Sequence, residues 1–295
     1  ATLTDAPVII NHLIYALTLS VTIIVVAVPE GLPMMITLVL SSNMKKMLIS
    51  IAGRAGSKGF RNKNLKTFCG KPLVYYSLSA ANMFIEENSD INVDICLNTD
   101  SEHLISMVQE KYPEVEIVER PEELGGDRVS KMSVHQYTIA QMQKRKGIEY
   151  DYFMDLDITS PLRTMKDVQN SYELMRKRPD LDIIFSSTQA RRNPYFNMVK
   201  PVGDHIEIVN ESTFTARQQA PEMYDVNASV YMFKPSFLLT NKSGLVWDGK
   251  IGITVMMDTG ILDIDSEEDF LLMEVIANHL YEQYPEFAKI RNNIR

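Results

Sequence analysis

From Met47 onward, hydrophobic residues follow two alternating spacings along the chain. Short runs rich in β-branched residues, such as MLISIAG, favour buried strands, whereas apolar residues at every third or fourth position favour helices. The predicted strands are 47–53, 93–99, 115–119, 150–158, 181–188 and 227–233, and the predicted helices are 72–84, 101–112, 131–145, 164–178 and 266–284. Alternating strands and helices need crossover connections, which predicts an α/β domain with a mostly parallel sheet and helices on both faces.

The alternation stops between residues 189 and 222. ARRNPYFNMVK and HIEIVNES are typical of hairpin strands, and Gly203 with Asp204 supplies a turn between them. We interpret this small hairpin as a lid, a substrate wall or a dimerisation arm. After it, Ser266 is the predicted N-cap of the closing helix, whose first turn is acidic.

Residues 1–43 make up a separate hydrophobic segment. The only charged residue between Leu13 and Leu40 is Glu30, and a helix of this length would cross the ~30 Å hydrocarbon core of a bilayer. The PEGLP sequence would break that helix and leave a carboxylate and carbonyl groups free, which is typical of an ion site. The sequence therefore predicts a membrane-helix-like segment over 1–43 and a globular domain over 44–295.

Composition narrows the classes of partner. A net charge of −8 at pH 7 and a pI near 5.3 argue against nucleic-acid binding, because no overall positive field would attract a polyanion. Cys69 and Cys96 have neither zinc-ligand nor disulfide-framework spacing, which suits a cytoplasmic location. The positive charge is nevertheless concentrated, because residues 44–85 contain eight lysines and arginines and no acidic residue.

The loop GRAGSKGFRNKN follows the first predicted strand inside this basic window. Glycines 53, 56 and 59 would allow positive φ and turn backbone N–H groups into a concave site, while lysines and arginines supply charge. The spacing matches neither the P-loop nor the dinucleotide-binding fingerprint. The loop is interpreted as a polyphosphate site, with a merely flexible basic loop as the alternative.

A second candidate site is the carboxylate pair Asp263 and Asp265, two residues apart and so on the same side of an extended segment. Two such carboxylates repel each other, and a hard cation such as Mg²⁺ would relieve the repulsion. Alternatively, Asp265 helps to cap the helix that begins near Ser266.

Together these motifs resemble those of the cytidylyltransferases that activate sialic acid and related nine-carbon sugar acids. The matching segments, in the family's order, are IAGRAGSKGFRNKNL, LNTD, RPEEL, TSPLR, RNPYFNMV, RQQAPEMYDVNASVY and LDIDSEEDF, and they extend over nearly all of the chain beyond Met47. The resemblance implies a nucleotide-diphospho-sugar transferase-like fold over 44–295 and homodimers in which 189–222 is the arm. It also implies a Mg²⁺-dependent reaction of CTP with a nonulosonic acid that releases pyrophosphate, for use in cell-surface glycans.

The family's roles carry over where positions agree. The resemblance implies catalytic roles for Arg54, Lys58 and Lys63, and nucleotide binding by Arg54, Ser57, Lys58, Asn64, Thr99, Arg120 and Asp127. It implies sugar binding by Asp157, Arg217, Gln218, Asn227 and Tyr231, and metal binding by Asp263 and Asp265. No general base is evident, because His103, His135 and His205 fall outside the motifs and are interpreted as structural.

One residue departs from the sialic acid pattern. DLDITSPLR has Asp157 where sialic acid enzymes usually have a glutamine that faces the sugar. This line, with ARRNPYFN, resembles the branch that activates legionaminic acid, so we expect altered sugar recognition with the same reaction.

Residues 8–46 resemble a different family. SVTIIVVAVPEGLPMMITLVLSSNMKKM is similar to the fourth transmembrane helix of calcium-transporting P-type ATPases, but the DKTGT motif that follows it in those pumps is absent. The segment is interpreted as a gene fusion or a sequence artefact, with a working membrane anchor as the alternative. The alternative function for the whole chain is a membrane-anchored or ion-transport-derived fragment, with membrane contact only if residues 8–43 are retained.

Overall fold

The computed structural model describes residues 9–19, 44–56, 60, 62–126, 128–257 and 263–295, in two units, Ala1–Met44 and Lys45–Arg295. In the first unit, residues 9–19 form helix α1. None of the helices in the described ranges is long and apolar enough to cross a membrane. The PEGLP sequence at 29–33 lies outside the described residues, so the helix break predicted there stays a prediction.

A seven-stranded sheet forms the centre of the second unit. In spatial order its strands are β11 (Ile251–Val255), β7 (Ile183–Gln189), β10 (Tyr224–Phe233), β6 (Tyr152–Leu156), β1 (Lys45–Ala52), β4 (Ile91–Thr99) and β5 (Glu116–Glu119). Strand β10 is antiparallel to both β6 and β7, and all other neighbouring pairs are parallel. The predicted mostly parallel α/β sheet is therefore confirmed. Strands β2 (Thr67–Phe68) and β3 (Lys71–Pro72) form a separate antiparallel pair.

Helices cover both faces of this sheet. They are α2 (Leu73–Glu87), α3 (Glu102–Lys111), α4 (Lys131–Lys146), α5 (Met165–Lys177), α6 (Pro235–Thr240), α7 (Glu267–Gln283) and α8 (Pro285–Asn292). Because side chains alternate along β1, Met47 and Ile49 enter the core beneath α2, α5, α7 and α8, while Leu48 enters the core beneath α4 and α6. This agrees with the prediction of helices on both faces.

The structure differs from the predicted elements at the C-terminal end. The predicted closing helix 266–284 is followed by a second helix, α8, because Pro285 fits the first turn of a new helix but not the interior of α7. Ser266 is the N-cap of α7, as predicted, and forms a capping box with Asp269. Strand β11 and helix α6 were not predicted, since both are short and lack a clear periodicity.

The hairpin predicted between residues 189 and 222 is present. Strands β8 (Val199–Val202) and β9 (His205–Ile208) pair antiparallel, and Gly203 has φ +63° in the turn, where a side chain would be strained. Several of its apolar side chains, including Met198, Val199 and Ile206, are exposed.

One histidine lies deep in the core beneath α4. His135 is 1 % exposed, and its ring centroid is 5.1 Å from that of Phe153 and 5.5 Å from that of Phe233. Among the residues that the structure describes, neither of its ring nitrogens has a hydrogen-bond partner. Its Nε2 lies 3.7 Å from Oδ2 of Asp155. Burial disfavours the imidazolium more strongly than Asp155 favours it, so the pKa of His135 is lowered to about 4. His135 is therefore neutral at pH 7, in keeping with a structural role.

This lowered pKa predicts a pH-dependent stability. The unfolded chain takes up a proton at His135 near its ordinary pKa of about 6.5, whereas the folded chain does so only near pH 4. Neutral His135 therefore contributes about 3 kcal/mol to the free energy of unfolding. This contribution is fully present above pH 6.5 and is lost as the pH falls towards 4. We expect the melting temperature of His135→Leu, followed by circular dichroism, to fall less between pH 6.5 and 4 than that of the unsubstituted protein.

The matched control is His103→Leu, because His103 is exposed on α3. That variant should keep the pH dependence of the unsubstituted protein. Parallel melting curves for His135→Leu and the unsubstituted protein would contradict the assignment of a buried neutral imidazole.

Candidate active site

A cleft of about 300 Å³ opens at the carboxyl ends of the parallel strands β1, β5 and β6. Ligand sites are common in this position, because the loops that leave parallel strands diverge there. Six of the predicted site residues line the cleft: Arg54, Lys63, Asn64, Arg120, Asp157 and Asp263. Residues far apart in the sequence thus meet at one edge of the sheet.

The glycine-containing loop after β1 is held against β4 and the cleft. Gly53 N donates to Asn98 O at 3.0 Å, Asn64 Nδ2 donates to Arg54 O at 3.1 Å, and Ala55 N donates to Asp100 Oδ1 at 2.6 Å. These bonds fix the backbone on which Arg54 is carried.

The loop glycines were predicted to adopt positive φ, and this is wrong for Gly53 and Gly56. A Cβ on Gly53 would lie 2.7 Å from Ile158 Cδ1 and 2.9 Å from Asn64 Nδ2, so this position needs glycine for close packing. The left-handed residue in the described part of the loop is Asn62, with φ 58°. Gly59, Ser57 and Lys58 lie outside the described residues.

Lys63, Arg120 and Arg54 are cationic side chains that line the cleft. Lys63 Nζ donates to Ile264 O at 2.8 Å and pairs with Asp265 Oδ1 at 3.0 Å. Arg120 Nε donates to Asn98 Oδ1 at 2.6 Å, and burial lowers the pKa of Arg120. An arginine in a protein nevertheless stays protonated. These groups give the cleft positive charge suited to phosphate groups.

Two carboxylates of the cleft, those of Asp157 and Asp263, meet at Thr159. Asp157 Oδ1 accepts hydrogen bonds from Thr159 N at 2.9 Å and from its hydroxyl at 2.8 Å. The same hydroxyl contacts Asp263 Oδ1. Burial, and then the charge of Asp157, raise the pKa of Asp263. A cation bound here would stabilise the ionised form of Asp263.

The second member of the predicted metal pair lies in different surroundings. The side chain of Asp265 is 76 % exposed and is paired with Lys63 instead of lining the cleft. Within the described ranges, no group of three or more histidine, cysteine, aspartate or glutamate side chains could hold a metal ion. Asp265 takes part in the helix cap through its backbone, since Asp265 N donates to Asp269 Oδ2 at 3.2 Å beside the capping box of Ser266 and Asp269. Its side chain is not part of the cap.

Sequence reasoning gave no role to Lys131, although this residue lines the cleft. Its Nζ lies 2.7 Å from Asp155 Oδ2 and 2.6 Å from Asp157 Oδ2, and 4.9 Å from the centroid of the Tyr231 ring. Burial opposes the charge on Lys131, but the two carboxylates outweigh that effect and raise its pKa. Conversely, burial raises the pKa of Asp157, but the contact with Lys131 outweighs this and lowers it.

A buried arginine in the TSPLR motif holds the loop that carries Asp157. Arg163 is 1 % exposed, and its guanidinium donates to the carbonyl oxygens of Asp157 and Ser160 and to the hydroxyls of Ser77 and Ser229. Burial lowers the pKa of Arg163 to about 10, which still leaves it charged at neutral pH. The motif was recognised in the sequence, but this structural role of its arginine was not.

Two predicted site residues form bonds within the framework around the cleft. The carbonyl oxygen of Thr99 accepts from Arg120 N at 2.9 Å, and its hydroxyl accepts from Ser101 N at 3.0 Å. Asn227 lies in an irregular part of β10, where its Oδ1 accepts from Ser186 Oγ at 2.5 Å. Neither side chain lines the cleft.

The remaining predicted sugar residues occupy two different places. Tyr231 lies beneath the ammonium of Lys131, with its ring centroid 4.5 Å from that of Phe185. Arg217 and Gln218 are exposed in a one-turn 3₁₀ helix and do not line the cleft. Asp127, predicted to bind the nucleotide, lies outside the described residues.

The fold is similar to that of a solved structure, a CMP-2-keto-3-deoxy-manno-octonic acid synthetase in complex with CTP. The similarity has a TM-score of 0.56 at 15% sequence identity, and covers 81% of this chain and 100% of that one. At this identity the likeness establishes the fold, an α/β nucleotidyltransferase-like arrangement.

Two relatives are more similar in sequence. A post-translational flagellin modification protein B from Campylobacter coli is 32% identical over 83% of this chain and 100% of its own length. A CMP-N,N'-diacetyllegionaminic acid synthase from Campylobacter jejuni is 34% identical over 80% of this chain and 96% of its own length.

The N-terminal resemblance to an ion pump finds no support in these comparisons, and neither does the interpretation of the chain as an ion-transport or membrane-anchored fragment. The sequence profile of the cytidylyltransferase family, in contrast, matches residues 48–243, which include the cleft residues from Gly53 to Thr159. The chain therefore belongs to the cytidylyltransferase family.

Proposed function

We propose that this cytidylyltransferase activates a nine-carbon sugar acid of the sialic or legionaminic acid type by joining it to the CMP part of CTP. The observation that carries the proposal is that a single cleft is lined both by cationic side chains and by carboxylates, namely Arg54, Lys63, Arg120, Asp157 and Asp263. Cationic side chains suit phosphate groups, and a carboxylate such as Asp157 suits the hydroxyl and amide groups of a sugar. The relative named CMP-N,N'-diacetyllegionaminic acid synthase and the neighbour solved with CTP support these two substrates.

In the proposed reaction, the anomeric C2 hydroxyl oxygen of the sugar acid forms a bond to the α-phosphorus of CTP. The bond from that phosphorus to the α–β bridging oxygen breaks, pyrophosphate leaves, and the hydroxyl proton is released to solvent. Arg54 and Lys63, with Lys58, would offset the charge that develops on the departing pyrophosphate. The protein would then contribute mainly orientation and charge stabilisation.

Mg²⁺ is the proposed metal, with Asp263 as the ligand that lines the cleft. Asp265, which pairs with Lys63 in this structure, would be the second ligand after exchanging that partner for the metal. Carboxylate oxygens are the ligands that Mg²⁺ prefers. Burial, and then the charge of Asp157, raise the pKa of Asp263, and a bound cation would oppose both effects. A divalent cation there would neutralise negative charge on the phosphates. Lys63, which pairs with Asp265 at 3.0 Å, would place a second positive charge beside them.

On the sugar side we assign recognition to Asp157, with Arg217, Gln218, Asn227 and Tyr231 as further contacts. Asp157 is an ionised carboxylate and therefore a hydrogen-bond acceptor only. It would select hydroxyl or amide N–H groups, which supports an acylated sugar such as legionaminic acid. The carboxylate of the sugar would be repelled by Asp157, and a guanidinium such as that of Arg217 would pair with it.

The hairpin of β8 and β9 is the proposed dimerisation arm. Its exposed apolar side chains, which include Val199 at 57% and Ile206 at 68% exposure, would be covered by a second copy of the chain. Arg217 and Gln218 follow this hairpin in the chain, so a dimer contact would also affect the proposed sugar contacts.

The proposed function predicts pyrophosphate release that needs both substrates. With CTP and a panel containing N-acetylneuraminic, N,N'-diacetyllegionaminic and 2-keto-3-deoxy-manno-octonic acids, we expect turnover with a nine-carbon acid and highest kcat/KM for the legionaminic compound. A coupled pyrophosphate assay measures this, and reactions without a sugar acid or with ATP in place of CTP are the controls. If no nine-carbon sugar acid supported turnover, the proposed function would be rejected.

The positive charge lining the cleft predicts a strong loss of activity when Lys63 is neutralised. Removing one preorganised charge-stabilising donor costs about 100- to 1,000-fold in kcat, and we expect a loss in this range for Lys63→Met in the same assay. The matched control is Lys45→Met, because Lys45 pairs with Asp151 at 2.7 Å on the exposed surface. Near-normal turnover by Lys63→Met would refute the role given to Lys63.

The metal assignment predicts that EDTA stops pyrophosphate release and that added Mg²⁺ restores it. For Asp263→Asn, the Mg²⁺ concentration giving half-maximal activity should rise by about tenfold or more, because a charged ligand is lost. Asp151→Asn, at a half-buried aspartate outside the cleft, should leave this concentration unchanged. Full activity of the EDTA-treated protein would count against a required metal.

A further inference from the structure

Helix α4 begins and ends with a lysine placed between two carboxylates. At its last turn, Lys146 Nζ lies 2.6 Å from Glu116 Oε1 and 3.5 Å from Asp94 Oδ1, outside the cleft. At its first turn, Lys131 Nζ lies between Asp155 and Asp157 and lines the cleft. The exposed fraction of the side chain is 32% for Lys146 and 35% for Lys131, so Lys146 is a matched control for Lys131.

Asp157 retains capacity for one more hydrogen bond. A carboxylate offers about four acceptor positions. Thr159 N and the Thr159 hydroxyl occupy two of them on Oδ1, and Lys131 occupies one on Oδ2 at 2.6 Å. The side chain of Asp157 is 18% exposed and lines the cleft, so the remaining position is available to a ligand there.

The position of Asp157 depends on a cation, because Asp155 lies directly beside it. Asp155 is fully buried, and both carboxylates approach the same ammonium within 2.7 Å. Two carboxylates this close repel each other unless a positive charge lies between them. In the part of the chain that the structure describes, the other ion-pair contact of Asp155 is the buried, neutral His135 at 3.7 Å.

The other nearby groups do not replace this contact. The guanidinium of Arg163 is directed at the carbonyl oxygens of Asp157 and Ser160, not at the carboxylates. The ring of Tyr231 covers Lys131 on a further side, with Nζ 4.9 Å from its centroid, and restricts where the ammonium can move.

We propose that Lys131 is a positioning residue for sugar recognition: it holds the Asp157 carboxylate turned into the cleft, where its free acceptor position receives a hydroxyl or amide N–H of the sugar acid. This inference rests on the proposed function and gives it a specificity determinant. Lys131 acts through Asp157 and contacts neither the phosphates nor the reacting atoms. The KM for the sugar acid should therefore depend on Lys131 much more than the KM for CTP does.

The test is a kinetic double-mutant cycle with Lys131→Met, Asp157→Asn and the double variant. Loss of a hydrogen bond to a charged group predicts that Lys131→Met raises the KM for the sugar acid by about 10- to 100-fold, with a small change in the KM for CTP. Lys131→Arg keeps the charge and should recover part of the loss. In the Asp157→Asn background, Lys131→Met should add less than about threefold, because both substitutions remove the same contact.

Lys146→Met is the control, and its KM values should equal those of the unsubstituted protein. Equal increases in both KM values for Lys131→Met, or multiplicative effects in the double variant, would overturn the inference. A thermal-unfolding cycle on the same four proteins without ligand measures the Lys131–Asp157 coupling independently of activity. If no sugar acid supports turnover, the proposed function fails, but the unfolding cycle still tests the Lys131–Asp157 ion pair. Absence of coupling in that cycle would overturn the positioning role proposed for Lys131.

Discussion

The cleft depends on the placement of two carboxylates, Asp155 and Asp157, at the carboxyl end of the central strand β6. Neither is well solvated, so each needs a positive charge or hydrogen-bond donors close by. Lys131 supplies the charge from the first turn of α4, while Arg163 ties down the backbone of the loop after β6. The sheet, the start of α4 and the TSPLR loop are thereby held together at one point, from which Thr159 and Asp157 reach the cleft.

In the proposed reaction, two negatively charged substrates would share this cleft. A nucleoside triphosphate and a sugar acid repel each other, so each would need attraction from the protein. Arg54, Lys63 and Arg120, which lie in the segments after β1 and β5, supply positive charge. Lys131 is already engaged by Asp155 and Asp157, so it adds no net positive charge to theirs.

Much of this structure follows from local patterns, whereas the central contact does not. Hydrophobic spacing predicts the strands and helices of the sheet, and Ser266 marks the start of α7 because capping is a local interaction. Lys131 and Asp157, by contrast, are 26 residues apart and meet only because α4 packs on the sheet beside β6. Nor does a basic residue at the start of an amphipathic helix suggest a site, since most such residues face solvent.

Gly53 shows a similar limit of sequence reasoning. Its presence in a glycine-rich basic loop indicates a phosphate site, but the physical reason for the glycine is the approach of Ile158 and Asn64, which come from other parts of the fold. Asn64 Nδ2 in turn donates to the carbonyl oxygen of Arg54. Because position 53 has no side chain, Asn64 can approach closely enough to make this hydrogen bond. A hydrogen-bonded backbone at Arg54 keeps this cation in place before an anion arrives, and preorganisation of this kind is what makes a charged group effective in stabilising developing charge.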